Sequence, residues 1–374
     1  MTNAVNLANA APSIDGSGGN LTITGSMVAG SSYAWRNRII NGAMVIDQRN
    51  AGASVTQSVA VVYTVDRWSC YGSAASKFTV QRNAGSVTPP AGYTNYLGVT
   101  SSSAYTVGAS EFFFVQQVIE GNNISDLGWG ASGAQTVTLS FWVRSSLTGT
   151  FGGTLSNDAT NRVYPFTYTI SAANTWEQKT VTVAGDTTGT WQTGTSGGIV
   201  VNFNMGAGAS VSGTAGAWSG STLRAPTGAT SVVGTNGATW YITGVQLEVG
   251  SVATPFERRD IGRELIMCQR YAIVCGSCQT GASEATNRLN VFEKFPVTMR
   301  SAPTLSVRAL TEAAYRFGAG DISTASPVLT DVNSGESGYF GLVSGFSGLS
   351  VNIPVVGRTP GLGYRNFILA SAEL

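Results

Sequence analysis

Apolar and polar residues alternate with a period of two over much of this chain, as they do in strands that bury one face. In Gln135 to Val143, Val137, Leu139, Phe141 and Val143 fall on one side. In Trp240 to Val249, strict alternation puts Tyr241, Thr243, Val245, Leu247 and Val249 on one face. Trp240, Ile242, Gly244, Gln246 and Glu248 then share the other. Further strands are expected at Arg38 to Ile46, Lys77 to Gln81, Tyr96 to Thr100 and Glu111 to Ile119. Tyr164 to Ile170, Thr175 to Val183 and Gly198 to Asn204 complete the set. About nine strands with Gly, Ser, Asn and Pro turns have the spacing of a jelly-roll β-sandwich.

The period changes once. Asp260 to Val274 reads as a helix capped by Asp260, with Ile261, Leu265, Cys268 and Ala272 at helical spacing. Alternation then returns in Asn290 to Phe295, Tyr339 to Val343, Leu349 to Ile353 and Tyr364 to Glu373. The expected fold class is all-β: a jelly roll, one short connecting helix and a smaller C-terminal β-sandwich. The corresponding division is 1–34 as an attachment arm, 35–258 as the jelly roll, 259–278 as the connecting helix and 279–374 as a β tip. The arm is small and polar, and its Leu21 to Thr24 stretch is suited to adding a strand to a neighbour. All eight tryptophans precede Gly250. No fixed-period repeat is present, so a solenoid is not expected.

Composition narrows the chemistry. Charged residues make up 11% of the chain, against roughly 25% in an ordinary domain. Ser, Thr, Asn and Gly must therefore wet the surface, which suits glycan contact or dense packing in an assembly. A net charge of +1 gives no general pull on nucleic acid or anionic membrane. No apolar run reaches the roughly 20 residues of a membrane span. The N-terminus has no basic start followed by an apolar core, so no signal peptide is expected.

Histidine is absent, which removes His-based triads and His metal sites. Cys275 and Cys278 form one C-x-x-C with Cys268 nearby, but there is no second such pair. The default reading is free thiols and no metal or cofactor. For glycoside hydrolysis the carboxylates to weigh are Asp47, Asp66, Glu111, Glu120, Asp126, Glu177 and Glu248. A hydrolytic pair remains formally possible, but the sequence places no two of them face to face, so no catalytic residue is expected. Binding is the stronger reading, because sugars stack on flat aromatic faces and take hydrogen bonds from Asn, Gln and Arg. Trp142 and Trp176 lie inside strands and read as packing. Trp129, Trp191 and Trp218 lie in Gly-, Thr- and Ser-rich loops and are the candidates for an exposed ligand platform.

Several phrases together resemble one family. They are Asn37-Arg38-Ile39-Ile40-Asn41-Gly42 with Gln48-Arg49, Tyr63-Thr64-Val65-Asp66-Arg67-Trp68, and Ser140-Phe141-Trp142-Val143-Arg144. The exit Gly244-Val245-Gln246-Leu247-Glu248-Val249-Gly250, Thr254-Pro255-Phe256-Glu257-Arg258-Arg259 and Cys268-Gln269-Arg270-Tyr271 follows. Phe295-Pro296 to Ala302-Pro303 and the closing Ala372-Glu373-Leu374 end the series. In order and spacing these resemble phage tail-fibre and other virion appendage proteins with a carbohydrate-binding-module-like jelly roll. That resemblance implies a non-enzymatic receptor-binding protein that attaches to host surface glycan. It implies a homotrimer, joined to other tail or baseplate proteins through the arm. It also implies a place in the virion after synthesis in the host cytoplasm, with no nucleic acid or membrane insertion. Asn37 and the Asp66-Arg67-Trp68 turn read as structural in it. Ala43 stands where the family often has Asp, so no metal site is expected there. The alternatives are a capsid or tail decoration protein without a ligand, and a glycan depolymerase.

Overall fold

The structure, a computed structural model, describes residues 14–15, 22–23, 35–275, 280–307, 313–317, 320–324, 328–345, 354–358 and 368–374. Most of the expected arm, Cys278 and the expected strand Leu349 to Ile353 lie outside these residues. The chain divides into two units, Met1–Arg36 and Asn37–Leu374. In the first, β1 (Ile14–Asp15) pairs antiparallel with β2 (Thr22–Ile23). The Thr22–Ile23 strand thus finds its partner within its own unit.

The second unit opens with a sandwich of two six-stranded antiparallel sheets. Its strands are β3 (Val55–Thr56), β4 (Val62–Tyr63), β5 (Ser69–Gly72), β6 (Phe78–Arg82), β7 (Leu97–Ser101) and β8 (Phe112–Glu120). They continue with β9 (Val137–Ser145), β10 (Gly149–Asn157), β11 (Val163–Ile170), β12 (Glu177–Val183) and β13 (Gly197–Ala207). The short pair β14 (Ser212–Gly213) and β15 (Ala225–Pro226) precedes β16 (Thr239–Val249). One sheet runs β11-β10-β13-β8-β5-β4 and the other β12-β9-β16-β7-β6-β3. Phe113, Val115, Phe203, Met205 and Phe151 from the first sheet meet Val80, Val99, Leu139, Phe141 and Trp240 from the second in one core.

The closing strand β16 departs from strict alternation. Trp240 and Ile242 point into the core, but so do Val245 and Leu247. The switch occurs at Gly244, whose φ is +61°, where the register with β9 slips between Thr243 and Gln246. An extra residue at a bulge turns every later side chain to the opposite face. Glycine is required there for two reasons. The left-handed backbone disfavours a Cβ, and a Cβ would also lie 2.5 Å from the Tyr93 hydroxyl.

The helix α1 is shorter than its periodicity suggested, Ile261–Gln269. Asp260 caps it as expected, its Oδ1 accepting from the amides of Gly262 at 2.9 Å and Arg263 at 3.4 Å. Residues 272–274 are not helical. They belong to β17 (Ala272–Cys275), which pairs with β26 (Ile368–Ser371). Strand pairing and the β-branched Ile273 and Val274 override the helical spacing there. Of the expected stripe, Cys268 is buried and Leu265 half-buried, whereas Ile261 is 59% exposed and so is Ile266, at 54%.

The remaining strands are β18 (Thr280–Ala285), β19 (Arg288–Lys294), β20 (Thr304–Val307), β21 (Ala313–Phe317), β22 (Gly320–Thr324), β23 (Val328–Gly335), β24 (Gly338–Ser344) and β25 (Pro354–Arg358). They form a three-stranded sheet, β17-β26-β20, and a seven-stranded sheet, β22-β21-β25-β18-β19-β24-β23. Ile273, Ile368 and Ala370 of the first pack with Leu289, Val291, Tyr339 and Val343 of the second. This is the smaller β-sandwich.

Candidate functional site

The outer face of the first sheet, away from the core, carries the most ligand-like surface. Alternation fixes it: in β8 the side chains of Phe112, Phe114 and Gln116 point out while Phe113 and Val115 point in. The register sets Tyr71 of β5 beside Phe114, and Ser69 beside Gln116. On the other side, Asn204 of β13 faces Phe114 and Asn202 faces Gln116. Thr154 of β10 follows Asn202. The result is an aromatic strip bordered by hydroxyl and amide groups.

The rings of the strip are nearly parallel. Tyr71 lies 5.4 Å from Phe112 and 5.5 Å from Phe114, with interplanar angles of 25° and 24°. Phe112 and Phe114 are 6.0 Å apart at 5°. Phe114 is buried between its half-exposed neighbours. Asn202 is 1% exposed, and its Oδ1 has no hydrogen-bond partner. Native proteins pair most such groups, but this oxygen is itself enclosed, so the accessible part of the face is Tyr71, Phe112 and Gln116.

A loop completes this face. The amide of Arg224 donates to Val211 O at 2.7 Å, and β14 and β15 pair in parallel. Pro226 lies against β10 so closely that a Cβ on Gly152 would be 2.2 Å from its ring. This places the Arg224 guanidinium over Phe112, 4.9 Å from the ring centroid. Burial lowers the pKa of Arg224, and Tyr71 is the neighbour that pushes it up.

Trp129, Trp191 and Trp218 do come together, but not as an exposed platform. Their rings meet edge to face at 4.7, 5.3 and 5.5 Å. Trp129 and Trp191 are only 8% and 7% exposed and belong to the core, with Trp218 half-buried against it. Each indole N–H is spent on a loop carbonyl: Trp129 on Gln135 at 2.8 Å, Trp191 on Thr188 at 3.3 Å and Trp218 on Ala184 at 2.8 Å. Beside them Arg162 forks onto Asp186, with both contacts at 2.7 Å. Burial raises the Asp186 pKa, but the Arg162 fork and the Thr188 donors outweigh it and hold the carboxyl below its usual range. These loop tryptophans anchor loops to the core, and the expectation of an open platform is corrected accordingly.

The phrases behind the family resemblance build a junction. Asn37 holds β16 through Val245 O at 3.1 Å and the Leu247 amide at 3.1 Å. Asn41 binds Ile46 O and Asp66 O at 2.8 and 2.9 Å. Arg67 is buried, stacks on Tyr271 at 3.5 Å and pairs with Glu373. Glu120 receives Arg270 at 2.6 and 3.0 Å and Tyr271 at 2.6 Å. Burial raises the Glu120 pKa, but these donors outweigh it and leave it lowered. Glu248 clamps the turn after β16, accepting from Thr254 N and Gln246 Nε2, both at 2.8 Å.

The other carboxylates weighed for hydrolysis are also engaged. Asp47 holds the Asn50 and Gly52 amides, Asp66 holds Gln48, and Glu111 holds Tyr105. Asp126 pairs with Arg38 and Glu177 with Lys179. Among the described residues no cluster of three Cys, Asp or Glu is placed to hold a metal. Cys70, Cys268 and Cys275 are buried free thiols. A pocket of about 200 Å³ lies between Asn37, Val45, Phe256, Ile261 and Glu264. Its Asn37 and Glu264 serve the junction, Glu264 pairing with Arg259 at 3.6 Å.

No protein-family model matches the chain, and no curated protein matches it. Solved structures give loose likenesses. The enzymatically active domain of bacteriophage CBA120 tailspike protein 4 is 12% identical, over 57% of this chain and 21% of that one, with a TM-score of 0.29. A putative sugar-binding protein from Bacteroides thetaiotaomicron is 11% identical over 57% of this chain and 100% of its own, with a TM-score of 0.34. A family 11 carbohydrate-binding module from Clostridium thermocellum, in complex with a β-1,3-1,4-mixed-linked tetrasaccharide, is 8% identical. It covers 55% of this chain and 100% of its own, with a TM-score of 0.28. At these scores the likenesses carry no weight for function.

Proposed function

We propose that this protein is a non-enzymatic phage tail-fibre or receptor-binding protein whose jelly roll binds host surface glycan along the Tyr71-Phe112-Phe114 strip. The observation that supports this most is the strip itself. Parallel aromatic rings lie on an outward sheet face with the half-exposed Gln116 amide, a combination suited to sugar C–H faces and hydroxyls. Virion membership rests on the ordered phrases from Asn37 to Leu374, which here form a structural junction. The appendage acts as a homotrimer, and its copies raise avidity for a repeating surface polymer. The exposed Ile261 and Ile266 of α1 are the side chains the copies cover.

The test is a glycan array probed with the full chain, run beside an assay of phage adsorption with the chain as competitor. Binding to a host polysaccharide that Tyr71→Ala and Phe112→Ala weaken supports the reading. Failure to bind any host polysaccharide or to block adsorption overturns it. Solution mass tests the trimer, and a stable monomer would remove Ile261 and Ile266 from any inter-subunit role.

A further inference from the structure

Arg224 differs from most enclosed arginines among the described residues. Arg49 and Arg67 meet Glu373, Arg162 meets Asp186, Arg259 meets Glu257 and Glu264, and Arg270 meets Glu120. The half-buried Arg224 guanidinium has no carboxylate or carbonyl partner among the described residues, and its buried Nε is unsatisfied. Its neighbours are the Phe112 ring and Tyr71. A charge taken partly out of water without a counter-charge costs stability unless something else uses it. The loop from 208 to 227 holds it there through backbone bonds and Pro226, so the position is built rather than incidental.

Resting on the glycan reading above, we infer that the strip selects an anionic glycan, its carboxylate or phosphate group taken by Arg224 while its sugar rings lie against the half-exposed Tyr71 and Phe112. Arginine presents a planar fork that matches either anion. Phe112 and the half-exposed Gln116 are four residues apart on β8, about 13 Å at strand rise. The face from Phe112 to Gln116 is therefore longer than one sugar ring, and the ligand is an oligosaccharide segment lying across the aromatic rings. The net charge of +1 supplies little long-range attraction, so discrimination is local to Arg224.

The experiment measures binding of the unmodified full chain to three probes. These are host polysaccharides bearing uronic acids, the same polymers after carboxyl reduction, and phosphodiester-linked wall polymers. Arg224→Gln and Arg224→Lys follow, each checked for folding by its thermal transition. The expected result is binding to one acidic class, weakened about tenfold or more by carboxyl reduction or by Arg224→Gln. Preference between the uronate and phosphate arms identifies which anion is used. Equal binding to an acidic polymer and its reduced form, with no binding to the phosphodiester polymers, overturns the inference and leaves the glycan reading standing. Absence of binding to every probe overturns both. Should Arg224→Gln fail to fold, the paired polymers still decide the matter with the unmodified protein.

Discussion

Two aromatic groups sit on the same jelly roll and have opposite fates. Trp129, Trp191 and Trp218 come from loops, turn inward and place every indole N–H on a loop carbonyl. Tyr71, Phe112 and Phe114 come from strands, point outward and leave polar neighbours unpaired. A Gly-rich loop has no core of its own, so a large side chain in it is the means of fastening it down. A central strand is already fastened by its ladder. Its second face is free to carry aromatics for another purpose.

The sharpest way to break this contrast is to truncate an anchor. Trp129→Ala should cost about 3–5 kcal/mol in denaturant unfolding, while a variant that still folds keeps its glycan affinity. Loss of affinity with little loss of stability would reverse the roles of the two groups. Next in size, Tyr71→Ala or Phe112→Ala should lower affinity roughly tenfold, about 1–2 kcal/mol, with a smaller change in the unfolding midpoint, read by calorimetry of binding and of melting. Smaller still, Asn202→Ala should shift stability by no more than about 1 kcal/mol, because the carbonyl it removes is unpaired. Glycan affinity should hardly change, because that oxygen is enclosed. A loss well beyond that in melting experiments would mean that the amide holds the sheet.

The smallest effect is a pH dependence. Asp186 is held below its usual pKa, so its contribution is fully present above the unfolded aspartate value. It is lost as pH falls through the lower folded value. Tryptophan fluorescence from the anchor cluster should therefore report weakening below about pH 4. Asp186→Asn should flatten its own share of that slope. Glu120, also lowered, contributes in the same direction at the junction, so adding Glu120→Gln to Asp186→Asn should flatten the slope further.

Much of this fold was legible in the residues, because strand alternation is a local code. Val137 to Val143, the cap at Asp260 and the return to strands after the helix all followed from it. The face switch at Gly244 did not, since a bulge inserts one residue without changing the apparent alternation. The end of α1 did not either, because β26, nearly a hundred residues later, decides whether Ala272 to Val274 become helix or strand. The strip was present in the pattern but easy to misread. Phe112-Phe113-Phe114-Val115 looks like one apolar run, and only pairing separates Phe113 from its neighbours. The signal was the Asn-x-Asn of Val201-Asn202-Phe203-Asn204-Met205, a polar face beside a core face. No spacing rule brings Arg224 to Phe112, because a long loop does that.

The pairing of Arg67 with Glu373 spans 306 residues. On the ribosome, the first sandwich can assemble its sheets long before residue 373 is made. Until then a fully buried guanidinium is without its carboxylate, and the Tyr271 ring beside it is also still to come. The jelly roll therefore holds this charge uncompensated until residues 271 and 373 reach it, and Glu373 ties the segment after β26 to the first sandwich.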